Sequence, residues 1–196
     1  MPRAGLDPAS VTVAAAALAD EVGLDRLGMG QLAERLGVKT PSLYKHVTSQ
    51  ADLTHRIAVL AMVELGEAIR DATQGRAGSD ALAAAAGAMR TYINRYPGRY
   101  EAGNRATAAG PDDPLLAAGD RLLGSLSAVL RGFQLEPGQE IHALRMLRSM
   151  VHGFATLEVN GGFQLDTDVD RSFAWMVALI DQGLRHPDVT APTEGS

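Results

Sequence analysis

Residues 29–47 read MGQLAERLGVKTPSLYKHV, two helix-forming runs divided by a glycine. Leu32, Ala33 and Leu36 recur on one face of a first run from Met29 to Leu36. Gly37 follows where a left-handed cap residue belongs, because a residue without a Cβ enters that conformation freely. After the Gly37-Val38-Lys39 turn, Thr40 is expected to cap a second helix with Pro41 at its first position, ending near Val47. Leu32, Ala33, Leu36, Val38 and Leu43 are spaced to pack both runs against a preceding helix. The pattern predicts a helix-turn-helix, whose second helix enters a DNA major groove and offers its N-terminal residues to base edges. Lys39, Thr40, Ser42, Tyr44, Lys45 and His46 then form the exposed polar set. A helix this short can also bring its free N–H groups close to a phosphate.

Working outward, the preceding helix starts at Asp7-Pro8, a cap and a first-turn proline. Val11, Ala14, Ala15, Leu18 and Val22 follow at helical spacing, and Gly23 stops them. Arg3 ahead of the apolar run from Val11 to Ala19 gives a faint likeness to a secretory leader. Asp7 and Pro8 interrupt it, so the run is read as a helix of the mature protein. Downstream, Ser49 and Asp52 match a capping box that opens a long helix reaching about Thr73, with Leu53, Ile57, Leu60, Ala61 and Ile69 on its stripe. A loop over 75–78 separates it from helices predicted over 80–95, 98–108, 114–132, 138–159 and 168–185. Asn160-Gly161-Gly162 breaks the chain before the last of these, for which Thr167 and Asp170 form a second capping box. No stretch alternates with period two and no segment repeats.

The fold class expected is therefore all-α, with about nine helices. A three-helix helix-turn-helix domain covers residues 1–48, a larger helical domain covers 49–186, and 187–196 form a loose polar tail. Composition agrees. Of 196 residues, 46% are apolar and 21% charged, enough for a core and too little charge for a disordered chain. The absence of cysteine excludes a disulfide scaffold, a Cys-ligated zinc or cluster and a Cys nucleophile. No apolar run reaches the ~20 residues that span a bilayer, and a cytoplasmic location is expected.

Charge is distributed unevenly. The chain carries a net −5, yet its only lysines are Lys39 and Lys45. Between residues 35 and 56 they join Arg35 and Arg56 against a single acid, Asp52, with His46 and His55 in addition. From 61 onward 17 acids outnumber 12 arginines. A local cationic patch on an acidic body suits a sequence-reading module whose body avoids indiscriminate adhesion to DNA.

On these residues the segment from about Asp7 to Leu65 resembles the DNA-binding domain of TetR-family transcriptional regulators. The Leu36-Gly37-Val38 turn, the run Pro41-Ser42-Leu43-Tyr44-Lys45-His46-Val47 and the Asp52-Leu53 start of the long helix carry the likeness. Val151-His152-Gly153-Phe154 is similar to a Trp-His-Gly motif of one branch, with Val151 in place of the Trp. The resemblance implies that Thr40, Pro41, Ser42 and Lys45 face bases and that Tyr44 and His46 hold phosphates. Lys39 reaches either, and Leu43 belongs to the core. It implies a homodimer on a palindromic operator in double-stranded DNA, an unknown small-molecule effector, no cofactor and the role of a repressor. Two departures stand out: Gly28-Met29-Gly30 replaces the usual polar start of the second helix, and Gln50 stands where a lysine is common. Fewer phosphate contacts predict a shallower salt dependence.

Several residues admit more than one role. Tyr92, Tyr96, Tyr100, Asn104, Met146 and His152 are candidates to line an effector pocket. Tyr92, Tyr96 and Met89 equally suit the apolar stripe of one helix. His142 and His152 are ten residues apart, roughly 80° in azimuth, so they do not share a metal-binding face. Glu101 and Arg105 suit a surface ion pair. Phe154, Leu157, Phe173, Met176, Val177, Ile180 and Leu184 give the last two helices broad apolar faces, one for the core and one for the same helices of a second subunit, with central burial in one chain as the alternative. An all-α enzyme and a protein-interaction module that does not bind DNA are the competing readings; no phosphate loop, nucleophile elbow or metal spacing supports the former.

Overall fold

The computed structural model describes residues 6–136 and 138–186, and the expected tail over 187–196 lies outside them. Among the described residues there are nine α-helices and no strand. They are α1 (Pro8–Val22), α2 (Met29–Arg35), α3 (Thr40–Leu43), α4 (Gln50–Thr73), α5 (Gly78–Arg95), α6 (Pro97–Arg105), α7 (Pro114–Leu130), α8 (Gln139–Val159) and α9 (Val169–Arg185). A 3₁₀ turn over Leu24–Arg26, absent from the sequence reading, joins α1 to α2.

Caps explain most of the boundaries. Asp7 Oδ1 accepts from Ser10 N at 2.7 Å while Ser10 Oγ accepts from Asp7 N, a reciprocal box that fixes the start of α1. Ser49 Oγ accepts from Asp52 N at 3.0 Å, but the Asp52 carboxylate reaches back one residue further than expected, to Thr48 N. At α9 the expected box of Thr167 and Asp170 is not the cap. Asp168, one residue later, accepts from the N–H groups of Asp170 and Arg171. The helix expected over 98–108 ends at Arg105, and that expected to reach 132 ends at Leu130.

The chain divides into two compact units. One comprises the residues up to Gly66 and Tyr92–Leu122; the other comprises Glu67–Thr91 and Leu123 onward. The first unit is built on Val11, Ala15 and Leu18 of α1, Leu32 of α2, Leu43 of α3, and Leu53 and Ile57 of α4, all buried. Ala102 of α6 and Leu115 of α7 join the same cluster. Helices α1 and α6 approach so closely that a Cβ on Gly98 would lie 2.2 Å from the carbonyl oxygen of Ala19. Next to that contact, Arg99 donates from its backbone N–H and from Nε to the two carboxylate oxygens of Asp20, and from Nη1 to Glu64. In the second unit, Arg90 pairs with Glu158 and Asp170, its guanidinium 4.8 Å from the ring centroid of Phe173.

Candidate nucleic-acid interface

The turn before α3 is built as its sequence requires. Gly37 adopts φ +66°, Val38 N donates to Ala33 O and Gly37 N to Glu34 O, the double closure of a Schellman motif. Lys39, not Thr40, then caps α3: its backbone is extended, while Thr40 is already helical and Pro41 takes the second position. Thr40 makes no side-chain cap. The α-helix proper ends at Leu43, and the chain continues in turns through His46, whose N–H donates to Leu43 O. The reading element is thus a single helical turn followed by a tapering coil.

Its two faces are sharply different. Leu43 and Val47 are fully buried in the core of the first unit. Lys39, Pro41, Tyr44 and Lys45 are exposed, Tyr44 at 52%, and Thr40, Ser42 and His46 are half-buried. All seven expected contact residues therefore belong to one short stretch, four of them exposed. Among the described residues, the side chains of Lys39, Ser42, Tyr44 and Lys45 form no hydrogen bond or ion pair within the chain.

The cationic patch is narrower than its count of charges implies. Arg35 is held bidentately by Glu21 of α1, with both distances 2.7 Å. Arg56 pairs with Asp52 at 2.9 Å, and His55 with Asp113 at 2.8 Å. Glu21 and Asp113 lie outside the sequence window that suggested the patch, so neither pairing was visible from spacing. Lys39 and Lys45 remain as the uncompensated cations of that window. Gln50, where family members often carry lysine, donates from Nε2 to the Leu27 carbonyl and so ties the start of α4 to the chain entering α2.

The residues considered for an effector pocket fall in both units. Tyr92 is buried, and its hydroxyl donates to Glu64 at 2.9 Å; burial, reinforced by the Glu64 charge, pushes this phenol far above its ordinary pKa. Tyr96 packs on Tyr92 with centroids 5.2 Å apart and carries the Arg99 guanidinium over its ring at 4.3 Å. Burial raises the Asp20 carboxyl beside Arg99. Tyr100 and Asn104 follow on α6 in the same unit, whereas Met146 and His152 belong to the second. Thr156 Oγ1 lies 3.5 Å from His152 Nδ1. Two clefts of the first unit, one against the 109–114 segment and one beside Gln50 and Arg105, are lined by none of these six residues.

The apolar stripe of α9 faces inward. Phe173, Val177, Ile180 and Leu184 are buried within the chain itself, because they face its own core. Phe154 is half-buried against Phe163 and Phe173, and Met176 is half-buried. Of the residues expected at a subunit interface only Leu157 is exposed, at 53%. The large exposed apolar residues of α9 are Trp175 and Leu179, four apart on the next face.

Comparison with known proteins agrees with this architecture. Residues 11–57 match the family of bacterial regulatory proteins of the tetR family, and residues 82–180 match the tetracyclin repressor-like C-terminal domain. The HTH-type transcriptional regulator Rv0681 of Mycobacterium tuberculosis is 34% identical over 181 residues, covering 92% of this chain and 83% of the relative. A TetR from Acinetobacter baumannii AYE, solved in complex with minocycline, has the same fold: TM-score 0.71 at 22% identity, covering 95% of this chain and 100% of that one. BioQ with its double-stranded DNA operator superposes with a TM-score of 0.64 at 20% identity, covering 93% and 99%. With a helix-turn-helix head, a matching helical C-terminal domain and a relative of this identity over most of its length, the chain belongs to the TetR family of DNA-binding transcriptional regulators.

Proposed function

We propose that the protein is a ligand-responsive repressor that binds a palindromic operator as a homodimer. The observation that carries the reading is the pair of uncompensated, exposed cations that flank α3, Lys39 and Lys45, beside exposed Tyr44. In this reading Thr40, Pro41, Ser42 and Lys45 meet base edges, Tyr44 and His46 hold phosphates, and Lys39 reaches either. Residues 1–48 read DNA, and 49–186 bind an effector and pair the subunits. Each subunit presents one α3 to a half-site, the two about 34–36 Å apart. An effector releases DNA only if it binds more tightly to an arrangement in which that spacing is lost. The solved relatives with minocycline and with operator DNA support both halves of the proposal by likeness of fold. No described helix is long and apolar enough to cross a membrane, which suits a cytoplasmic regulator.

The test is a mobility shift with duplexes from the neighbourhood of the protein's own gene, at several salt concentrations. A sequence-dependent, salt-sensitive shift is expected. Lys45→Ala should cost about 1–3 kcal/mol and relax preference at one position of each half-site. A protein that binds every duplex equally, or none, refutes the proposal.

A further inference from the structure

The first unit holds a cleft of about 970 Å³, on the scale of small-molecule sites. Its walls come from the start of α1, the first half of α4 and the 109–114 segment that leads into α7. Val13, Val59 and Val63 give it an apolar wall, and Val13 is 52% exposed there. Two carboxylates at its rim are engaged within the chain. Arg56 Nε donates to Asp52 Oδ1 at 2.9 Å, and His55 Nε2 lies 2.8 Å from Asp113 Oδ1. Asp113 also accepts from the N–H groups of Ala109 and Leu115. Asp112 is left over: it lines the cleft, is exposed, and has no hydrogen bond or ion pair among the described residues.

One uncompensated carboxylate at the rim of an apolar wall complements a cation with an apolar body. An anion would add to the excess negative charge, and a neutral apolar molecule would leave the carboxylate without a partner. We propose that this cleft binds an amphiphilic monocation, an organic ammonium whose tail lies on Val13, Val59 and Val63 and whose head faces Asp112. Such a ligand would touch the first helix of the reading head and α4 at once.

Isothermal titration of the full chain with n-octyltrimethylammonium, octanoate and 1-octanol, each below its micellar concentration or solubility limit, tests the assignment. One saturable ammonium site per chain is expected, about fivefold tighter than the alcohol, as a single exposed ion pair allows, with octanoate weakest. Asp112→Asn should bring the ammonium down to the affinity of the alcohol. Val13→Lys, at an exposed position, should abolish ammonium binding while the thermal melt stays cooperative. Non-saturable uptake, octanoate binding as tight as the ammonium, or ammonium binding unchanged in either variant overturns the proposal. A DNA shift on the same preparations reports separately on the regulator reading; its loss leaves the titration result standing.

Discussion

Leu43 and Tyr44 are neighbours with opposite fates, and the difference between them is the chemistry of the reading element. Leu43 is fully buried and Tyr44 about half exposed. Leu43→Ala should therefore cost about 2–5 kcal/mol in urea denaturation, since a cavity opens beneath α3. Tyr44→Ala should leave the denaturation midpoint within about 0.5 kcal/mol of the parent, as for an exposed site, and lower DNA affinity instead. Asp113 offers a test by pH. The N–H groups of Ala109 and Leu115, followed by the His55 contact, hold its carboxyl at about 2, below the ordinary carboxylate value. A carboxyl depressed in the folded state stabilises it above the unfolded pKa, near 4. That stability is lost as pH falls from about 4 through about 2. Thermal melts of Asp113→Asn should accordingly fall less steeply over this acidic window than those of the parent, and a parallel fall would show that the contacts carry no linkage.

At the scale of elements, α1 and α6 are fastened together by backbone proximity and by charge. Gly98 packs its Cα against the Ala19 carbonyl, and Arg99 binds Asp20 directly beside it. Gly98→Ala forces α6 away from α1 and should lower stability by about 1–3 kcal/mol, read as a drop in Tm. These two helices also mark the limit of what the sequence makes legible. Helix existence follows from apolar periodicity, and the starts of α1 and α4 follow from Asp7, Pro8 and Ser49, because a cap is a local device. The Gly37 turn is local in the same way. The start of α3 lies one residue earlier than expected, where no side chain caps the turn to fix it. The pairing of Arg35 with Glu21, of His55 with Asp113 and of Arg99 with Asp20 joins residues far apart in the chain, and no spacing rule reveals it. The α9 stripe was legible as apolar, but its direction was not. Phe173, Val177, Ile180 and Leu184 satisfy a helical period whether the covering surface is the chain's own core or a second subunit.

At the scale of the whole molecule, the account requires two reading heads held in one assembly. With the α9 stripe turned inward, Ile141, Leu157 and Val159 of α8 and Trp175 and Leu179 of α9 are the large exposed apolar side chains available for pairing. Sedimentation velocity should give about twice the 20.6 kDa chain mass, and Trp175→Arg should return it to one chain mass with the melt intact. A parent protein that sediments as a single chain at micromolar concentration removes the interface. The most direct measurement is selection of duplexes from a random pool on the purified protein. The account predicts enrichment of an inverted repeat whose half-sites are centred about 10–10.5 base pairs apart, or a multiple of that. It further predicts that Lys45→Ala blurs the same position in both halves. Enrichment of no sequence, or of a single unpaired site that Lys45→Ala leaves unchanged, would contradict it.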